Sequence, residues 1–159
     1  MTLPRRLRAA VAFATLALSA PAAAQSAPGG CTGPASSTWV NVVVNGVRSS
    51  TGLVAVTLYA DNSRKFLAKG GSMFVGRVRA VAGTTRACVH LPQPGTYALA
   101  IYHDENANEK FDRTGIGFPA EGYGFSNNPS TLAGLPAFRS VRLAVPRTGL
   151  TSRIQLKYP

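Results

Sequence analysis

Tyr97–Tyr102 reads YALAIY and runs directly into HDENANEKFDRTGIGFPAEGYGFSNN, His103–Asn128. The first run is the most apolar of the strand-like segments in the sequence, and its length is typical of a central β-strand. The segment after it is polar and rich in glycine. The sequence therefore predicts a central strand with a long acidic loop at its carboxyl end.

This loop concentrates the acidic residues of the protein. Five of the six acids lie in it: Asp104, Glu105, Glu109, Asp112 and Glu121. Only Lys110 and Arg113 offset them, so residues 104–121 carry a formal charge of −3, whereas the whole chain carries +11. Carboxylates held close together repel one another unless a cation lies among them. The concentration therefore favours a bound cation.

The spacing of the oxygen side chains predicts which cation. The loop reads D-x-N-x-N-x-x-x-D, which matches positions 1, 3, 5 and 9 of a calcium loop, and position 7 supplies a backbone carbonyl. Oxygen donors favour Ca²⁺ over zinc or copper. Because position 6 is Glu109, position 12 is Gly115 and no helical pattern flanks the loop, it is not an EF-hand. The predicted ligands are Asp104, Asn106, Asn108, the Lys110 carbonyl, Asp112 and Glu121.

Two further interpretations of the loop stay open. Asn and Asp also stabilise turns by bonding to their own backbone, so the loop can be structural without a metal. Its glycines would let aromatic residues fold back as a small patch, a possible surface for a glycan or a peptide, or simply pack on the end of the domain. The candidates for this ligand surface are His103, Phe118, Tyr123 and Phe125.

Outward from the loop the pattern is β throughout. Short runs alternate apolar with polar or small residues and are rich in β-branched types. They span residues 39–47, 52–60, 74–81, 84–91, 97–102, 138–145 and 151–158. We expect residues 47–51 to form a hairpin, and residues 91–97 resemble the tyrosine corner of immunoglobulin-like sandwiches. These runs predict a single all-β domain over residues 39–159, an antiparallel immunoglobulin-like or prealbumin-like β-sandwich of about seven strands.

The loop also carries a family resemblance. HDENANEKFD followed by GIGFPAEGYGFSNN resembles the signature of an exported bacterial family known as domain of unknown function 2141, and the similarity extends from Val40 to Pro159. The resemblance implies a small exported β-sandwich and implies no activity. Family members usually have Asn-Gly in the loop, where this chain has Asn108-Glu109.

The amino terminus predicts export. Residues 1–24 combine a basic start, a short apolar run and the small-residue site Ala22–Ala24, which is typical of a cleaved secretory signal. No cysteine follows the site, so a lipoprotein is not expected, and no later stretch is apolar enough to span a membrane. We therefore expect a periplasmic or secreted protein, with residues 25–38 as a flexible lead-in. An uncleaved anchor is the alternative.

Two cysteines, Cys31 and Cys88, are present. Cysteines of an exported chain usually pair, so we expect a disulfide that ties the lead-in to the sheet. The alternative is a reactive thiol, but no histidine lies in a context that would activate Cys31.

The charge of the mature chain suggests its partners. Without Arg5, Arg6 and Arg8 the chain has 14 basic and six acidic residues, a net charge of +8. Such a charge favours an anionic envelope component or an acidic glycan, although dispersed arginines on exposed strand faces explain it equally. Nucleic acid is not expected, because the arginines are not clustered with exposed aromatic residues.

An enzyme is the alternative to a non-catalytic binding or structural module. His103, Asp104 and Glu121 are the residues that a periplasmic hydrolase-like enzyme would use for acid–base chemistry. The sequence lacks G-x-S-x-G, H-E-x-x-H and a phosphate-binding loop. The sequence therefore favours the non-catalytic interpretation.

Overall fold

A computed structural model describes residues 27–131 and 135–159, so the predicted signal peptide lies outside the described residues. Eight strands and one helical turn make up the regular structure of these residues. In chain order they are β1 Thr38–Val47, β2 Leu53–Ala60, β3 Phe74–Arg79, β4 Gly83–Leu91, β5 Gly95–Asp104, β6 Gly122–Phe125, α1 Phe138–Val141, β7 Arg142–Val145 and β8 Leu150–Gln155. The all-β prediction is confirmed.

The strands form two sheets. One has the order β4-β1-β8, and the other has the order β3-β2-β5-β6, with β7 also paired to β5. Strand β5 pairs with β2 along one edge. Its other edge pairs with β7 along Gly95–Ala98 and with β6 along Ala100–His103. The predicted central strand is therefore central, and it carries the acidic loop at its carboxyl end.

Alternation along the strands divides the apolar residues between two clusters. The main core lies between the sheets and includes Val42, Val56, Leu99 and Ile101, each 2% exposed or less. A second cluster covers part of the outer face of the five-stranded sheet, and its members are Tyr59, Ala98, Ala100, Phe125 and Val141, with Phe66, Tyr123 and Phe138 packed against them. Two sheets packed across one core confirm the predicted β-sandwich.

The predicted hairpin at residues 47–51 is wrong. Strands β1 and β2 belong to different sheets, so this connection crosses from one sheet to the other. It passes so close to the end of β5 that a Cβ on Gly52, whose φ is +73°, would lie 2.0 Å from the Asp104 carbonyl oxygen. The polar pattern predicted the turn correctly, but the partner of each strand depends on long-range packing.

Two further details differ from the sequence prediction. Strand β1 pairs with β8 in parallel, so the sandwich is not wholly antiparallel. The segment predicted as one strand over residues 138–145 begins with the helical turn α1, because Val141 is drawn into the outer-face cluster and is fully buried there. Strand β6 was not predicted, since its sequence, GYGF, has glycine at alternate positions.

The corner and the cysteine pair follow the predictions. The Tyr97 hydroxyl donates to the Gln93 carbonyl at 2.8 Å, which confirms the tyrosine corner. Cys31 and Cys88 lie at disulfide distance, with Cα atoms 4.4 Å apart. The lead-in is held beside β4 by two further backbone bonds, from Thr32 N to the Cys88 carbonyl and from His90 N to the Thr32 carbonyl, both at 2.9 Å.

Candidate functional site in the acidic loop

His103 is the last inward-facing residue of β5 and is fully buried. Its Nδ1 lies 2.7 Å from the Tyr158 hydroxyl, and its Nε2 lies 2.8 Å from the Thr51 carbonyl oxygen. Both ring nitrogens are thus engaged by the surrounding protein. His103 anchors the end of β5 and lies beneath the predicted ligand surface, not on it.

Asp104 closes the first half of the loop. Its carboxylate is fully buried and accepts the backbone N–H groups of Asn108 at 3.0 Å and Glu109 at 2.8 Å. These bonds require a tight turn, and Ala107 and Glu109 accordingly have φ values of +56° and +62°. Glu109 occupies the position where calcium loops carry glycine for the sharp turn. The backbone therefore makes this turn with a glutamate in place of glycine.

The two loop amides lie against Asp112. Its Oδ2 accepts Asn106 Nδ2 at 2.8 Å and Asn108 Nδ2 at 2.9 Å. The amide oxygens face the backbone, where Asn106 Oδ1 accepts the N–H of Asn108 and Asn108 Oδ1 accepts that of Lys110. An amide oxygen has two lone pairs, so each retains acceptor capacity after one such bond. Three of the side chains that the spacing singled out, Asn106, Asn108 and Asp112, therefore lie in contact, and Asp104 bonds to the backbone of the same turn.

The five carboxylates of the loop fall into two groups. Glu105 is bound by Arg48, whose Nε donates to Oε1 at 2.8 Å, and this partner lowers the pKa of Glu105. Glu109 lies 3.8 Å from Arg77 and is largely exposed. The remaining three, Asp104, Asp112 and Glu121, are the carboxylates that the spacing predicted as metal ligands, and no ion pair within the described residues engages them.

Glu121 comes to the loop from the residue before β6 and is 5% exposed. Its Oε2 accepts the Asp112 N–H at 3.1 Å, whereas its Oε1 is buried without a hydrogen-bond partner. Burial raises the pKa of Glu121 and the negative charges of Asp104 and Asp112 raise it further, while the nearby backbone N–H groups of Asp112 and Glu105 oppose this rise. A buried acceptor without a donor, beside two other carboxylates, is an unfavourable arrangement unless a cation completes it.

Lys110, whose carbonyl is the remaining predicted ligand, lies on the surface of the loop. Lys110 is exposed, with its N–H bound to Asn108 as described. Within residues 27–131 and 135–159, no three His, Cys, Asp or Glu side chains are grouped closely enough to hold a metal ion, and this includes the three predicted carboxylates. Any cation here therefore needs amide or backbone oxygens as well, which is the ligand chemistry of calcium rather than of zinc.

The aromatic residues near the loop separate into two locations. Phe118 is 53% exposed at the loop tip, whereas Tyr123 and Phe125 extend from β6 over the outer face of the five-stranded sheet. There they line a groove of about 660 Å³, which we call the aromatic groove. Its wall includes Phe111 and Arg113 from the acidic loop and Lys69 from the β2–β3 connection, residues that the sequence analysis did not single out. The sequence signal for Phe111 and Arg113 was the triplet F-D-R at residues 111–113, in which an aromatic and a basic residue flank a predicted metal ligand.

Comparison with known proteins gives a family and no activity. Searches of curated proteins and of solved structures found no match. Among the described residues, no helix has both the length and the apolar character needed to cross a membrane. A family model described as "uncharacterized protein conserved in bacteria (DUF2141)" matches residues 42–153, which include the whole acidic loop and both sheets apart from the start of β1 and the end of β8. The chain therefore belongs to the DUF2141 family.

Proposed function

We propose that this protein is an exported, non-catalytic β-sandwich of the cell envelope, which binds Ca²⁺ in its acidic loop and acts as a binding or structural module. The signal-like residues 1–24 and the cysteine pair at disulfide distance support export. The net charge of the mature chain favours anionic partners there.

The observation that carries the calcium proposal is the buried, unpartnered Oε1 of Glu121. Leaving a buried acceptor unsatisfied destabilises a fold by about 1–3 kcal/mol, and a hard cation would relieve it. The proposed ligands are the carboxylates of Asp104, Asp112 and Glu121, which would have to draw closer together around the cation. The amide oxygens of Asn106 and Asn108 and the Lys110 carbonyl would complete the ligand set. Such a set is large and flexible enough for Ca²⁺, whereas Mg²⁺ demands near-octahedral geometry.

The hydrolase alternative has less support. Asp104 is occupied by two backbone N–H groups, and His103 is fully buried with both ring nitrogens engaged. A general acid or base must reach its substrate within hydrogen-bond distance. Neither side chain has that access, so the arrangement favours binding over catalysis.

Thermal unfolding of the exported protein, stripped of metal and verified by elemental analysis, tests the proposal. With few charged ligands in a basic chain, Kd should be about 10⁻⁴ to 10⁻³ M. Calcium at tenfold Kd would then stabilise the fold by about 1.4 kcal/mol, which raises Tm by roughly 3–5 °C. Magnesium at the same concentration should raise Tm less.

Variants at two ligands and one control make the test specific. Asp112→Asn and Glu121→Gln each remove one ligand charge with little change of shape, so each should abolish the calcium-induced rise. Asp61→Ala removes the one acid outside the loop, which pairs with Arg142. Its starting Tm will fall, but its calcium-induced rise should persist. A wild-type Tm that is the same in millimolar Ca²⁺ and in chelator would reject calcium binding.

A further inference from the structure

The aromatic groove is a trough built into the outer face of the five-stranded sheet. Its floor is formed by Thr57 and Ala100, which are direct cross-strand partners on β2 and β5. Both side chains are small, while the surrounding Tyr59, Tyr102 and Tyr123 are large. The trough is therefore deep because the small Thr57 and Ala100 side chains are surrounded by larger aromatic rings. Its volume lies in the range of small-molecule sites.

The walls of the groove are apolar. One comes from the acidic loop, through Phe111 and Pro119, and the other includes Leu67 and Leu135, which are 38% and 55% exposed. Leu67 also has a φ of +56°, a conformation that is uncommon for a residue with a bulky side chain. An exposed leucine in a strained conformation does not stabilise the isolated fold, but its side chain supplies apolar surface to the groove.

The charge of the groove is wholly positive. Lys69 and Arg113 line it, and the described residues that line it include no aspartate or glutamate. In the described part of the chain neither cation makes an ion pair with an acid. Arg113 instead stacks over Phe111, with Cζ 5.1 Å from the ring centroid, and donates to the Gly117 carbonyl. The apolar trough is therefore complementary to a ligand with one anionic group.

The lining does not fit a glycan. Within residues 27–131 and 135–159, the lining offers no Asn, Gln, Asp, Glu or His to hydrogen-bond sugar hydroxyls. Its rings are tilted against one another, by 58° between Tyr102 and Phe111 and by 73° between Phe111 and Tyr123. Such rings present edges to a ligand more than a flat face for stacking. An aliphatic chain suits them better than a pyranose ring.

We propose that the aromatic groove binds an amphipathic carboxylate, a fatty acid whose chain lies over Thr57 and Ala100 and whose carboxylate pairs with Lys69 and Arg113. This names a ligand class for the binding role proposed above, and it rests on that role but not on calcium. Phe111 and Arg113 flank Asp112, so a metal held at Asp112 would also fix one wall of the groove. Calcium and the fatty acid should therefore tighten each other's binding by the same factor.

Calorimetric titration of the exported protein with decanoate tests this inference. For a ligand of this size we expect one molecule per chain with Kd on the order of 10⁻⁴ M. Decanol, which has the same chain without the charge, should bind at least tenfold more weakly, and an oligouronate should not bind. In calcium the decanoate Kd should fall by about fivefold relative to chelator.

Four variants identify the site. Ala100→Leu should fill the trough and abolish decanoate binding, while leaving the tyrosine corner and the main core untouched. Lys69→Ala combined with Arg113→Ala should weaken decanoate by about tenfold but decanol little. Leu67→Gly should weaken both ligands and yet raise Tm, because glycine accepts the positive φ without strain. Arg86→Ala combined with Arg153→Ala, an equal charge change on β4 and β8 in the other sheet, should leave binding unchanged.

The outcomes separate this inference from the calcium proposal. Decanoate binding in chelator without any effect of calcium would support the groove and reject its coupling to the loop. A calcium-induced rise in Tm with no decanoate binding would reject the groove and leave calcium intact. Tighter binding of the oligouronate than of decanoate, or a dimer that only Ala100→Leu dissociates, would also overturn the fatty-acid assignment.

Discussion

Glu121 differs from the other acids of the loop in having a buried carboxylate oxygen without a partner, while its other oxygen accepts the Asp112 N–H. Glu105 has Arg48, and Asp104 has two backbone N–H groups. A group that is buried with its charge only half compensated makes stability depend on its protonation. The chemistry of the loop is therefore most readily tested at this residue.

We expect Glu121 to make the metal-free protein less stable as pH rises. Burial raises its pKa in the folded state above the ordinary value of 4.5, so the folded state binds more protons than the unfolded state in the interval above that value. Stability then falls as pH rises through the folded pKa. Urea unfolding in chelator between about pH 4 and pH 7 should show this fall.

The comparison with Glu121→Gln isolates the effect, because other acids act in the opposite direction. Asp61 and Glu105 have lowered pKa values through Arg142 and Arg48, so their contribution is lost as pH falls. Subtracting the stability profile of Glu121→Gln from that of the wild type removes the contributions of Asp61 and Glu105, which the two proteins share. The fall of this difference with rising pH should weaken in saturating calcium, because calcium favours the ionised carboxylate of the wild type. A difference that is flat with pH in chelator would show that Glu121 titrates normally.

Glu109 makes a second prediction at this scale. Its φ of +62° is unfavourable for a residue with a Cβ, whereas its side chain is exposed and only 3.8 Å from Arg77. Glu109→Gly should therefore stabilise the protein by roughly 0.5–1 kcal/mol, measured by urea unfolding. Glu109→Ala keeps the strain and serves as the control; equal stability of the two variants would contradict the explanation.

At the scale of elements, the sequence predicted local structure better than pairing. The tyrosine corner was predicted because its bond spans only Gln93 to Tyr97, and three of the loop side chains meet because they are close in the chain. Strand β1 pairs with β8, which lies far along the sequence, and no local pattern encodes this pairing. The groove escaped prediction for the same reason, since its floor joins two strands and its walls come from three separate segments.

At the scale of the molecule, the cysteine pair connects the amino-terminal segment to the sandwich. We expect Cys31 and Cys88 of the exported protein to be joined, so alkylation without reductant should label neither thiol in mass spectrometry. The pair is separated by 57 residues, for which the loop-entropy description gives a contribution of about 4 kcal/mol. Reduction should lower the free energy of unfolding by about 2–4 kcal/mol.

The backbone hydrogen bonds of Thr32 limit how much stability the protein loses when the disulfide is reduced. They should hold the lead-in beside β4 after reduction, so the main core should keep its circular dichroism spectrum. Two labelled thiols on the native protein would contradict the pairing. A reduced protein as stable as the oxidised one would contradict its contribution.

The parallel pairing of β8 with β1 has a consequence for how the chain folds. Bonds that join the two ends of the domain, such as that from Trp39 N to Thr148 Oγ1, connect residues 109 positions apart. Contacts of such long range slow folding to about milliseconds to seconds. A chain that emerges from a membrane pore with its amino terminus first would present β1 as an open edge until Leu150–Gln155 has passed through. In such a chain the first sheet would be completed only after β8 has emerged, and until then β1 would be the segment most exposed to aggregation or to a chaperone.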